Sequence, residues 1–85
     1  MKCWYEIRWR FPGSQWQAGP DVWAASEEMA AMEGLKCEAL ADSEELTGII
    51  GRRVEVAAKS SASPSAQWRH FHLCAMKRVI VQACD

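Results

Sequence analysis

The sequence predicts a small single α+β domain over residues 1–85. It is a mostly antiparallel sheet of four to five strands, with a main helix near 22–33 and a short helix near 43–50 on one face. Three observations predict it. Residues 3–11 alternate between an apolar set (Cys3, Tyr5, Ile7, Trp9, Phe11) and a mixed set (Trp4, Glu6, Arg8, Arg10), the period-two signature of a strand. Residues 22–33 are dominated by helix formers between Asp21 and Gly34. The last third, from Arg53 onward, is rich in β-branched and aromatic residues on both sides of a Ser-rich stretch.

Taken in order, the first strand ends at Pro12-Gly13, and a polar loop around Trp16 leads to Gly19-Pro20. Asp21 is placed to cap the main helix. Val22, Ala25, Met29 and Met32 recur at helical spacing as its buried stripe, and Gly34 stands where a left-handed residue would end it. Leu35, Cys37 and Ala39 alternate with Lys36, Glu38 and Leu40, predicting a short strand; the alternative is two helices spanning 22–50 with no strand between. Asp42 or Ser43 caps the short helix, which Gly51 stops. Residues 53–59 form a strand with Val54, Val56 and Ala58 on one face. Residues 60–66 hold four Ser, two Ala and Pro64 and form a flexible loop. Residues 68–83 are too long for one ordinary strand and break near Met76-Lys77.

Leu, Ile, Val and Phe number only fifteen of 85 residues, so the core must draw on the five Trp, and self-association as a dimer would cover what remains. No apolar run is long enough to cross a membrane, and no secretory signal is visible. The expected compartment is the cytoplasm, where the four Cys would stay reduced. The formal charge of −1 conceals a division along the chain. Residues 21–50 carry eight acidic groups against Lys36 alone, whereas residues 1–20 are net +2 and residues 51–85 net +4.

Chemistry is sparse. His70, His72 and Cys74 share one strand face and offer a metal such as zinc an imidazole–thiolate set, but no second pair stands at zinc-site spacing. Two ordinary histidines and a packed Cys account for the same pattern. A Cys–His nucleophile pair lacks an orienting acid and an oxyanion loop. Glu27-Glu28 and Glu44-Glu45 are adjacent helical residues pointing about 100° apart, which is unsuitable for shared acid–base work. Gly48 to Gly51 is no phosphate loop. The expectation is a non-enzymatic protein with no cofactor and no resident metal.

Two binding readings remain. Arg8, Arg10, Arg52, Arg53, Arg69, Lys77 and Arg78, with Trp4, Trp68 and Phe71 among them, suit a single-stranded nucleic-acid binder using Arg and Trp on the sheet, although a pI near 6.1 is low for that class. The acidic middle suits a protein partner with a basic surface, contacted through Glu27, Glu28, Glu33, Glu44 and Glu45 with Trp23, and through Trp4, Arg8 and Arg10 on the outer side of the first strand. In general character, a short chain acidic in patches and without catalytic motifs, the protein resembles small phage-encoded inhibitors, anti-CRISPR proteins among them. That resemblance implies a module that blocks a larger nucleic-acid-handling machine by masking its basic surface.

Overall fold

A computed structural model describes residues 1–42 and 48–84. They form an antiparallel sheet covered on one face by a single helix, so the α+β class holds. The strands are β1 (Cys3–Arg10), β2 (Gln17–Ala18), β3 (Val22–Ala24), β4 (Arg53–Ser60), β5 (Arg69–Met76) and β6 (Ile80–Ala83), and helix α1 spans Glu27–Asp42. The sheet order is β2-β1-β4-β5-β6, with β3 also paired to β1. β2 lies against Arg8 and Trp9, while β3 lies against Cys3 to Tyr5. Residues 17–24 thus run along one side of β1 as a single strand interrupted at Gly19-Pro20-Asp21. No described helix is long and apolar enough to cross a membrane.

β1 follows its alternation. Tyr5, Ile7 and Trp9 are buried under α1 with Val54, Val56, Ala58, Leu73 and Ala75, while Trp4, Glu6, Arg8 and Arg10 take the opposite face. Pro12-Gly13 makes the expected turn: Ser14 N–H donates to the Phe11 carbonyl at 2.9 Å, and Gly13 takes φ 84°. That positive φ at the third turn position is the one a Pro-Gly pair supplies at least strain.

The main helix is displaced from its expected span. Val22 to Ala24 are β3, not helix, and their exposure alternates buried, exposed, buried, as the pleat requires. Ser26 is the cap instead of Asp21: its hydroxyl accepts from Met29 N–H at 3.2 Å, and Glu27 and Glu28 then occupy the first turn, where the helix dipole favours acids. The buried stripe is Ala30, Ala31, Gly34, Leu35 and Ala39; of the four residues expected to form it, Ala25 and Met29 are exposed.

The strand expected over 35–40 is helix as well. Leu35 and Ala39 recur four apart, in step with Ala31, and that period prevails over the local alternation. Gly34 lies inside α1 instead of ending it. A Cβ there would stand 2.7 Å from Ile7 Cγ2, so the missing side chain sets how closely helix and β1 approach. Of the short helix expected over 43–50, residues 43–47 lie outside the described residues; Gly48 and Ile49 are in a turn and Ile50 makes a bridge to Ala75, so the described part, 48–50, is not helical.

The long C-terminal β segment breaks as its length predicts. Lys77 to Val79 form a turn closed by Val79 N–H to the Met76 carbonyl at 2.9 Å, with Arg78 and Val79 at positive φ. This hairpin brings Cys74 and Cys84 to a Cα separation of 5.9 Å, and they form a disulfide. The expectation of four reduced thiols is therefore corrected: two cysteines ten residues apart in sequence are neighbours across an antiparallel register.

Candidate functional site

Two surfaces bring together functional side chains, one at the β3 edge and one on the outer face of the sheet. At the edge, Trp4 and Trp23 are opposite one another in the β1–β3 register, and their rings meet edge to face with centroids 5.3 Å apart. Each is about half exposed, at 52% and 51%, and so is Met29 at 52%. A groove of about 370 Å³ runs between them, lined also by Lys2, Asp21 and Glu33. Met29, Glu33 and Cys37 recur every four residues along α1, which is why one flank of the helix forms the groove wall.

The expected acidic set does not form one face. Glu33 borders the Trp groove, but Glu28 borders a second depression beside Met32, Phe71 and Leu73 on the other flank of the helix. Glu27 is half-buried and reaches Arg69 Nη1 at 3.9 Å, a contact across the α1–β5 boundary. Glu44 and Glu45 lie outside the described residues. Arg8 and Arg10 are on the sheet's outer face, apart from the helix, although Trp4 on the same strand belongs to the edge groove.

On that outer face the cations stack on indoles in a continuous series. Arg10 Cζ lies 4.3 Å from the centre of the Trp16 ring, Arg8 Cζ 4.4 Å from Trp16 and 4.3 Å from Trp68, and Lys59 Nζ 5.1 Å from Trp68. Each such contact is worth about 0.5–2 kcal/mol, more where water is excluded. Carboxylates close the two ends. Arg10 Nε donates to Glu55 Oε1 at 2.9 Å, and Glu6 is 3.7 Å from Lys59. Glu55 Oε2 also bonds His70 Nδ1 at 2.8 Å, and the His70 ring meets Trp16 edge on. Burial pushes the Glu55 carboxyl up, but the bonds from His70 and Arg10 outweigh it and hold it below the usual carboxylate value.

Arg8 is the exception in this series. Among the described residues no carboxylate pairs with it, and its Nε–H is buried without an acceptor, a deficit of about 1–3 kcal/mol for a buried donor. It faces a pocket of about 330 Å³ shared with Glu6, Trp16, Gly19, Asp21 and Trp68. Sequence reasoning set Arg8 and Arg10 on this face but missed Trp16 and Glu55 as their partners. Trp16 lies in a loop with no periodic signal, and Glu55 meets Arg10 only through the β1–β4 register.

The His70, His72 and Cys74 set does share a strand face, as spacing predicts. Cys74 is bonded to Cys84 and has no thiolate to offer, while His70 is engaged by Glu55. No cluster of three metal-ligating side chains occurs among the described residues. The same disulfide removes both cysteines of the conceivable Cys–His pair. Comparison with known proteins returns no match: no family model, no curated protein and no solved structure is similar to this chain.

Proposed function

We propose that this protein is a non-enzymatic binding module that docks its Trp4–Trp23 edge on a larger protein and masks a basic, nucleic-acid-handling surface there, in the manner of small phage-encoded inhibitors such as anti-CRISPR proteins. One observation carries the reading: two half-exposed indoles and an exposed Met29 stand together on a chain otherwise short of large apolar residues. A monomer of this size gains little from leaving such side chains in water, and Trp is the residue most enriched at binding hot spots. Asp21 and Glu33 flank the groove against Lys2, so its charged lining is net acidic and favours a basic partner. Buried indoles would supply affinity, and the carboxylates would supply orientation and association rate.

The test is affinity capture from the native host with the intact chain, compared with Trp23→Ala and with Asp21→Lys/Glu33→Lys. A basic nucleic-acid-binding protein retained by the wild type and lost by both variants supports the reading. An unchanged set of captured proteins overturns it. The reading places the protein in the cytoplasm, where the Cys74–Cys84 disulfide would have to withstand reducing conditions.

A further inference from the structure

We propose that the pocket beside Arg8 binds one nucleotide unit, with its phosphate on the edge of the guanidinium and its base against Trp68 and Trp16. Four features of the outer sheet face lead there, and Asp21 is the one lining residue this pocket has in common with the Trp4–Trp23 groove. First, Arg8 lies within 4.4 Å of two indole centres, so π systems occupy its faces and an anion must approach in the guanidinium plane. Second, Arg8 lacks the carboxylate that Arg10 has in Glu55 and Lys59 has in Glu6, and its buried Nε–H has no acceptor. A phosphate at the guanidinium edge facing the pocket would supply the missing counter-charge.

Third, the pocket holds about 330 Å³ and is walled by the indoles of Trp16 and Trp68, a volume and surface suited to a flat ring as well as an anion. Fourth, Glu6 and Asp21 are also in the wall, where carboxylates would accept from the ring or exocyclic N–H groups of a base. A bare anion would find those two acids repulsive. A ligand joining an oxyanion to a flat hydrogen-bond donor uses every wall. Free nucleotides and single nucleic-acid strands both present this unit.

The test is equilibrium binding by the intact protein of fluorescently labelled single-stranded DNA and RNA of about eight nucleotides at low salt, with adenosine monophosphate, inorganic phosphate and polyglutamate as competitors. Displacement by the mononucleotide identifies a free-nucleotide site, and binding of strands without such displacement identifies a strand site; either supports the proposal. Arg8→Gln and Trp68→Leu should each weaken binding by roughly tenfold, the loss expected for one charge-assisted contact or one stacked base. Arg8→Lys, which keeps the charge but loses the planar fork, should also weaken it. Trp23→Ala should not, which separates failure here from failure of the edge-docking reading.

Thermal melting checks that each variant folds. Should Arg8→Gln not fold, Trp68→Leu and Arg8→Lys carry the test. Absence of binding at low salt, inorganic phosphate competing as well as the nucleotide, preferential binding of polyglutamate, or unchanged affinity in the folded variants would each overturn the proposal.

Discussion

Gly34 and Ile7 are in closer contact than any other residue at position 34 would permit: a Cβ on Gly34 would stand 2.7 Å from Ile7 Cγ2 and 3.0 Å from Cγ1. Ile7 is itself fixed in the core at 4% exposure, with Gly19 close on another side, so it has no open space to retreat into. Gly34→Ala should therefore destabilise the fold by roughly 1 kcal/mol. Overpacking costs about 1–3 kcal/mol, and the better helix propensity of Ala returns about 1. Ile7→Val in the same chain removes only Cδ1 and keeps both clashing Cγ atoms, so it should not recover the loss, and chemical denaturation of the three proteins checks both statements.

The five tryptophans should separate by environment. Trp9→Ala should cost about 3–5 kcal/mol, since Trp9 is 8% exposed within the core. Trp23→Ala should cost about 0.5–1.5 kcal/mol, the worth of an aromatic pair at a surface. An aqueous quencher should reach Trp4 and Trp23 and spare Trp9, and single-Trp variants measured by fluorescence assign the contributions.

Stability should fall at both ends of the pH range for opposite reasons. A bond with Cys3, burial and nearby Glu27 push the hydroxyl of Tyr5 up to about 12 from its ordinary 10.0. Its folded value is the higher one, so the stabilisation is complete below pH 10.0 and is lost as pH rises toward about 12. Tyr5 is the one tyrosine in the sequence, so tyrosinate absorbance reports it directly. Glu55 has a lowered folded value, and its contribution is complete above the ordinary 4.5 and lost as pH falls through the folded value. Glu55→Gln should flatten the acid limb of a plot of melting temperature against pH and leave the alkaline limb unchanged.

Reduction of Cys74–Cys84 should lower stability by about 2–3 kcal/mol, the loop-closure value for a bridge spanning about ten residues. Thiol titration of the native protein should find Cys37, which is exposed, and Cys3 more slowly; after reduction all four should react. Hydrogen exchange should quicken in β6, a four-residue edge strand tied to β5 by that bridge and by Cys84 N–H to the His72 carbonyl at 2.7 Å.

What the sequence revealed depended on whether a local period coincided with a tertiary one. β1 and β4 alternate because both are buried on one face only, so Tyr5, Ile7, Trp9, Val54 and Val56 were legible as core. Val22 to Ala24 are too few for a period to register against a run of helix formers, and only pairing with β1 reveals them as strand. Leu35 and Ala39 satisfy a two-residue and a four-residue spacing at once, and contact with the sheet decides between them. At the sites, Trp23 and Trp4 were identifiable as candidate contacts. Their mutual contact, the Arg8–Trp16–Trp68 stack and the Cys74–Cys84 bridge all depend on register, which composition and spacing do not encode.

The separation of the two layers has a consequence for motion before contact. α1 presents Glu27, Glu28, Glu33 and Glu38 on one side of the sheet, partly offset by Lys36 and Arg69, and Arg8, Arg10, Arg53 and Lys59 project from the other, partly offset by Glu6 and Glu55. A body so divided carries a dipole across its thickness, and a charged surface exerts a torque on it within a Debye length, about 8 Å at physiological ionic strength. Against a basic surface it turns helix-first, and against a phosphate backbone sheet-first. The same small molecule thus sorts its two faces by the sign of what it approaches, and added salt abolishes the sorting before it abolishes either contact.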